Sequence, residues 1–193
     1  MFNNFTEYKV EMTMTGLNIG IVGPAGSGKS AFILRWTTGQ FIHQHHPVNL
    51  ACSVNIPTTM ANFVFNLVET SDLAALEEMD GFLLFFDRSN SESFAAVPEY
   101  LQTLQDKFPS APIILCGNKV DIKSREVTPQ EIRQVKGDCL YFDFSSKSNY
   151  NFEKPLLFLL RSILFPDDDY ETLKTRAVNL VEFPALEPPA INL

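Results

Sequence analysis

Short apolar runs alternate along this chain with windows whose apolar residues recur at helical spacing. Leu17-Asn18-Ile19-Gly20-Ile21-Val22 reads as a strand that passes into a glycine-rich turn, and a helix is expected from Gly28 or Lys29 through Trp36, stopped at Thr37-Thr38-Gly39. Three histidines, two prolines and scattered Asn, Ser and Thr break any period between Gln40 and Thr59, which predicts a long loop leading into an edge strand. Asn62 to Val68 favours a strand through Phe63, Val64, Phe65 and Leu67. Asp72 to Asp80 reads as a short acidic helix or turn, and Gly81 to Asp87 as a buried strand. Ser91 to Phe108 has the spacing of a surface helix, with Pro98 either kinking it or marking a first turn. A strand at Ala111 to Cys116, a helix at Thr128 to Val135, a strand at Leu140 to Phe144 and a helix at Phe152 to Leu164 complete the series. The order predicts an α/β fold with a mainly parallel six-stranded sheet and helices on both faces.

Composition narrows this further. With 193 residues, 45% of them hydrophobic and 17 of them Phe, the chain has material for one sizeable core. Its expected organisation is a lead-in over 1–16, a folded domain over 17–166, and an acidic, proline-containing extension over 167–193. The runs Gly81 to Phe86 and Pro155 to Leu160 are too short to cross a bilayer. Glu7, Lys9 and Glu11 replace the basic region and apolar stretch of a secretory signal, so an intracellular, non-secreted chain is expected. Cys52, Cys116 and Cys139 show no metal-ligand spacing and read as free thiols. A net charge of -8 argues against direct nucleic-acid or membrane binding.

The candidate chemistry begins at Gly23-Pro24-Ala25-Gly26-Ser27-Gly28-Lys29-Ser30, which fits the phosphate-loop pattern GxxxxGKS between a strand and a helix. Glycines allow a tight nest of backbone N–H groups, the Lys29 ammonium reaches terminal phosphates, and the Ser30 hydroxyl is a magnesium ligand. A second segment, Asn118-Lys119-Val120-Asp121, follows a predicted strand. A carboxylate at Asp121 accepts paired hydrogen bonds from the ring NH and exocyclic amine of guanine, a donor pair that adenine lacks. Asn118 would hold the loop or meet the base, and the Lys119 stem would cover a ring face with its amine in solvent. A third segment, Asp143-Phe144-Ser145-Ser146-Lys147-Ser148, also follows a strand: Ser145 stabilises the turn, the Ser146 N–H meets the guanine carbonyl, and Lys147 supports the pocket. Expected cofactors are GTP or GDP with Mg2+.

Leu115-Cys116-Gly117-Asn118-Lys119-Val120-Asp121-Ile122-Lys123 and Lys147-Ser148-Asn149-Tyr150-Asn151-Phe152-Glu153-Lys154-Pro155 resemble the Ran nuclear-transport family of small GTPases, as does Phe183-Pro184-Ala185-Leu186-Glu187-Pro188-Pro189. The likeness runs discontinuously from about Gly20 to Pro189. It implies a P-loop small-GTPase-like fold, nuclear-transport receptors or other protein subunits as partners, and a place in nucleus and cytoplasm. The family's switch segments depart. Val48 or Asn49 falls where the first switch carries a threonine, and Thr58 and Thr59 are either substitutes for it or, the preferred reading, part of the turn beyond. The second switch is reduced to Glu69-Thr70-Ser71-Asp72: Glu69 remains as a candidate Mg2+ contact through water, Asp72 replaces a glycine, and the water-orienting glutamine has no counterpart. The segment between Glu69 and Asp87 is shorter than the family's by roughly two helical turns. Ala25 stands where the family has glycine and would obstruct an activating arginine. The resemblance thus implies guanine-nucleotide binding with weak or unconventional hydrolysis and no assigned catalytic residue. The alternative is a noncatalytic pseudoGTPase serving as an interaction or structural subunit.

Other conspicuous residues take plainer readings. His43, His45 and His46 read as solvated or effector-facing, Arg35 as a surface residue, and Asp167-Asp168-Asp169 as a solvated negative patch. Phe32, Trp36, Phe152, Leu156 and Phe158 read as packing residues.

Overall fold

The computed structural model of the chain describes residues 16–42 and 50–180. Its strands are Leu17–Val22 (β1), Ala51–Pro57 (β2), Asn62–Glu69 (β3), Gly81–Asp87 (β4), Ile113–Asn118 (β5) and Leu140–Asp143 (β6). Its helices are Lys29–Thr38 (α1), Ser91–Ala95 (α2), Val97–Lys107 (α3), Pro129–Val135 (α4), Lys154–Leu164 (α5) and Tyr170–Thr175 (α6). The sheet order is β2-β3-β1-β4-β5-β6, antiparallel only between β2 and β3.

The reason for two covered faces is visible in β4, where every residue is buried. Leu83 and Phe85 point into a cluster with Phe32 and Trp36 of α1 and Leu156 and Leu159 of α5. Phe82, Leu84 and Phe86 point the other way, against Phe94, Val97, Leu101 and Leu104 of α2 and α3 and Ile132 of α4. A strand covered on both sides must be apolar at every position, so β4 reads as a continuous run. The rings expected to pack do so: Phe32 lies 4.9 Å from Phe152, and Trp36 stacks on Phe152 at 5.4 Å.

Several expectations need correction. The helix expected over Ser91–Phe108 divides at Ala96, and Pro98 occupies the first turn of α3, where its missing N–H breaks no hydrogen bond. Of the two readings of Asp72 to Asp80, helix or turn, the turn holds: residues 71–80 form turns and bends with no helix. Arg35 is fully buried, its guanidinium 6.0 Å from the Phe152 ring centre. The three aspartates do not make one solvated patch: Asp168 pairs with both Nε and a terminal nitrogen of Arg176, and Asp169 caps α6 by accepting from the Thr172 N–H. The three histidines, Val48, Asn49 and the Phe183–Pro189 stretch lie outside the described residues.

The register gathers chemistry at one rim. Val22 pairs with Leu84, Asp87 with Asn118, and Gly117 with Asp143. The carboxyl ends of β1, β4, β5 and β6 therefore open side by side, the place where open α/β sheets hold ligands.

Candidate nucleotide site

Between β1 and α1 the chain turns through Gly23, Gly26 and Gly28 at φ of 129°, 76° and 95°, a region that L side chains avoid. Two of these glycines are also fixed by space. A Cβ at position 23 would lie 2.2 Å from the Phe85 carbonyl oxygen, and one at position 28 would lie 2.2 Å from Asn118 Nδ2. Gly28 caps α1 without a side-chain hydrogen bond, and the first turn carries no acidic residue. The unpaired N–H groups and the positive end of the helix dipole are thus open to an anion.

Lys29 is buried, and its Nζ donates to the carbonyls of Gly23 at 2.8 Å and Pro24 at 3.0 Å. An ammonium has three N–H donors, so one remains for a phosphate oxygen. Burial pushes the Lys29 pKa down, and the nearby charge of Glu69 pushes it back up. Ser27 braces the loop by donating from Oγ to the Pro24 carbonyl at 2.8 Å. Pro24 is half-buried, while Ala25 and Gly26 form the exposed rim.

Across the loop, Ser30 Oγ donates to Glu69 Oε1 at 2.7 Å. The other carboxylate oxygen, Glu69 Oε2, is buried without a hydrogen-bond partner. Such an orphaned oxygen beside a serine hydroxyl and an anion-binding loop fits a hard divalent cation or one of its waters. Mg2+ needs only one or two protein oxygens when phosphates supply the rest, which agrees with the absence of any larger His/Cys/Asp/Glu cluster among the described residues. Beyond Glu69 the chain turns away: Asp72 is exposed and accepts from the Ala74 N–H at 3.0 Å. Lys107 of α3 holds this turn by donating to the carbonyls of Leu73 and Ala74 at 3.0 and 2.8 Å.

The two base-loop segments meet at Asn118. Its Nδ2 donates to the Ser27 carbonyl at 3.0 Å, and its Oδ1 accepts from the N–H groups of Ser146 at 3.1 Å and Lys119 at 2.8 Å. Asp121 accepts from Ser145 Oγ at 2.7 Å through one oxygen, and Ser145 Oγ in turn accepts from the N–H groups of Lys147 and Ser148. Asp121 and Lys147 are exposed; Ser145 and Ser146 are buried. The arrangement brings together Gly23 through Ser30, Asn118, Lys119, Asp121, Ser145, Ser146 and Lys147.

One detail differs from expectation: the Lys119 amine is not left in solvent but pairs with Asp87 Oδ2 at 2.7 Å. Asp87 sits at the end of β4, and its other oxygen accepts from the N–H and hydroxyl of Ser89. Burial would raise the Asp87 pKa, yet the hydrogen bonds from Lys119 and Ser89 and the Lys119 charge outweigh it and hold the carboxyl below its ordinary value. Sequence reading missed Asp87, Arg88 and Tyr141, and named Asp143 only as the first residue of the third segment, with no role. The only signal available was polar residues closing otherwise apolar strands.

The Ras family model matches residues 18–165 of the chain, from β1 to the end of α5. That span takes in all six strands, the glycine-rich loop and both base-loop segments.

Proposed function

The chain belongs to the Ras family of small GTPases, whose fold is in general one that binds nucleotide and Mg2+, and from that premise we propose a selective guanine-nucleotide-binding protein with slow GTP hydrolysis. The observation that carries this is the single Asn118 amide that links the Ser27 carbonyl of the phosphate loop to the Ser146 N–H and Lys119 N–H of the base loops. Phosphate and base subsites are thereby held at a fixed separation before any ligand arrives, which lowers the ordering cost of binding.

In this reading Lys29 and the N–H groups of Gly26 through Ser30 take the phosphates, Ser30 and Glu69 hold Mg2+, and Asp121 with Ser146 reads guanine. When bound, Mg2+ neutralises phosphate charge. Hydrolysis also needs an aligned water and stabilised phosphoryl charge. No glutamine occurs between Glu69 and Asp87, and Ala25 places a methyl group on the loop rim. Ground-state binding survives such losses while the chemical step slows.

Equilibrium titration tests the reading: GTP and GDP bind more tightly than ATP and ADP, Asp121→Ala removes most of that preference, and Lys29→Ala weakens all four. Equal affinities in the folded protein would defeat it. Preloaded GTP followed through a single turnover, with and without a Ran-type activating protein, tests hydrolysis; rapid Mg2+-dependent phosphate release contradicts the slow step.

The Ran-like segments around Asn118 and Lys147 support a finer proposal, that partners include nuclear-transport receptors and that the protein occupies nucleus and cytoplasm. Receptor binding should depend little on nucleotide, since a ligand shifts an equilibrium only by favouring one state. The Lys107 tether on the turn after Glu69 favours a second reading, a noncatalytic interaction subunit whose nucleotide stabilises the fold. Tight GTP occupancy with no measurable turnover would select it.

A further inference from the structure

Guanine selectivity depends on two loops that leave different strands, and a buried cation stands behind both. Arg88 follows β4 directly and is 2% exposed, on a sheet face otherwise filled by Phe86, Phe94 and Leu115. A guanidinium is a costly choice there, because packing alone would be served by an aliphatic chain and a buried charge must be matched by partners. Its partners are specific. The Arg88 backbone N–H donates to the Asn118 carbonyl at 3.0 Å, and its carbonyl accepts from the N–H groups of Glu126 and Val127 at 3.2 and 3.4 Å. One terminal nitrogen of its guanidinium donates to the Val127 carbonyl. The main chain at position 88 thus holds both ends of the loop that carries Lys119 and Asp121, and the guanidinium adds a side-chain hold at its far end, on Val127.

The second loop is gripped through Asp143. Arg88 Nε lies 2.8 Å from Asp143 Oδ1, an ion pair whose N–H is not aligned on that oxygen, and the Tyr141 hydroxyl donates to the same atom. Burial, together with the hydrogen bond and charge of Asp143, pushes the Tyr141 pKa far up, so the hydroxyl stays a donor. The loop carrying Ser145, Ser146 and Lys147 starts at Asp143, and its far end returns when Asn151 Nδ2 donates to the Asp143 carbonyl at 2.9 Å. Between the two loops lies Gly117, whose missing side chain makes room: a Cβ there would meet the Tyr141 hydroxyl at 2.5 Å and Arg88 Cδ at 2.9 Å.

We propose that Arg88 is a positioning residue for guanine recognition, a strut that fixes the distance between the Asp121 loop and the Ser145–Lys147 loop through Val127 and Asp143. It touches no nucleotide; it sets where the groups that do touch it stand. Recognition of a base edge tolerates errors of only about 0.5 Å, so two loops on separate strands need such a brace. The proposal rests on the guanine-binding reading given above.

The test compares Arg88→Met, which keeps the stem over Gly117, and Arg88→Lys, which keeps a cation near Asp143, with the unaltered protein. GDP, IDP and inorganic triphosphate are the probes. IDP lacks the exocyclic amine that Asp121 accepts, and triphosphate lacks the base altogether. Arg88→Met should speed GDP dissociation roughly tenfold, the size of one lost charge-assisted hydrogen bond, and bring the GDP-to-IDP affinity ratio toward unity. Triphosphate binding should stay within about twofold, because the phosphate loop does not touch Arg88. Arg88→Lys should recover part of the ratio. If Arg88→Met fails to fold, Arg88→Lys decides alone, with a reduced ratio at unchanged triphosphate affinity as the supporting result. An unchanged ratio, or equal losses for all three probes, overturns the positioning role. Failure of the unaltered protein to prefer GDP over ADP would instead overturn the guanine reading beneath it.

Discussion

At the scale of single residues, the site is built from groups whose neighbours decide their chemistry. Gly28 shows this most sharply: its φ of 95° and the 2.2 Å gap from a Cβ to Asn118 Nδ2 mean that Gly28→Ala both strains the loop and displaces the Asn118 amide. Gly28→Ala should weaken GDP binding by at least tenfold, roughly the loss of one buried hydrogen bond plus strain, as read by titration. Retained affinity would show that the Asn118 bridge is dispensable. Asp87 carries a pH signature. Its folded pKa is lowered, so its contribution is complete above the unfolded carboxylate pKa and is lost as pH falls through the lower folded value. Because the Lys119 side chain is 34% exposed, the pair contributes only about 1 kcal/mol. Urea unfolding should find Asp87→Asn less stable by that amount near neutrality, with the gap closing in acid; a gap constant with pH would contradict the assignment. Lys29, Ser30, Asn118 and Asp121 were legible in the sequence because motif spacing carries their chemistry. Arg35 and Arg88 were not, since a charge within an apolar stretch has no periodicity to announce its burial.

At the scale of elements, legibility followed burial. The strands covered on both faces, β4 above all, were readable as continuous apolar runs, whereas β5 was displaced because Gly117 and Asn118 look like loop residues although both are strand-paired and buried. The edge strand β2 was foreseen only in kind, within a long loop. α6 was not seen: six residues carry too little period, and the one signal was Asp169 standing three residues before Thr172 as a cap. Two hydrogen bonds from Lys107 hold the turn after Glu69 to α3. Lys107→Met should release the turn alone. Hydrogen exchange of the backbone amides at Leu73 through Leu76 is expected to quicken by roughly tenfold, while the melting temperature stays within a degree or two, since local opening is separable from global unfolding. Uniform acceleration across the sheet would show that the tether serves the whole domain.

At the scale of the whole molecule, the family match stops at residue 165 but the packing does not. Leu173 and Val178 enter the same core cluster as Ile19 and Phe65. Arg161, buried in α5, donates from Nε and a terminal nitrogen to the Val178 carbonyl at 3.1 and 3.0 Å, and to Asn179 Oδ1 at 3.0 Å. Its guanidinium also lies 5.0 Å from the Phe158 ring centre. The segment then reaches the far end of the β2–β3 hairpin, where Leu180 bridges Thr58 and the Thr59 N–H donates to the Asn179 carbonyl at 2.8 Å. Truncation after Phe165 removes all of these at once. Two apolar side chains lose burial at about 1.5–3 kcal/mol each, and a guanidinium loses its acceptors, offset in part by water entering the gap. The total is several kcal/mol, a large share of the roughly 5–15 kcal/mol that holds a domain together. Thr59→Ala, which removes only the hydroxyl links to Ala177 and Asn179, should cost about 1 kcal/mol. Urea midpoints should fall in the order full chain, Thr59→Ala, truncation, with Thr59→Ala close to the full chain. GDP affinity of the folded fraction should be equal in all three, because none of the lost contacts reaches Ser27, Asn118 or Asp121. A truncation as stable as the full chain would show that residues 166–180 rest on the domain without supporting it.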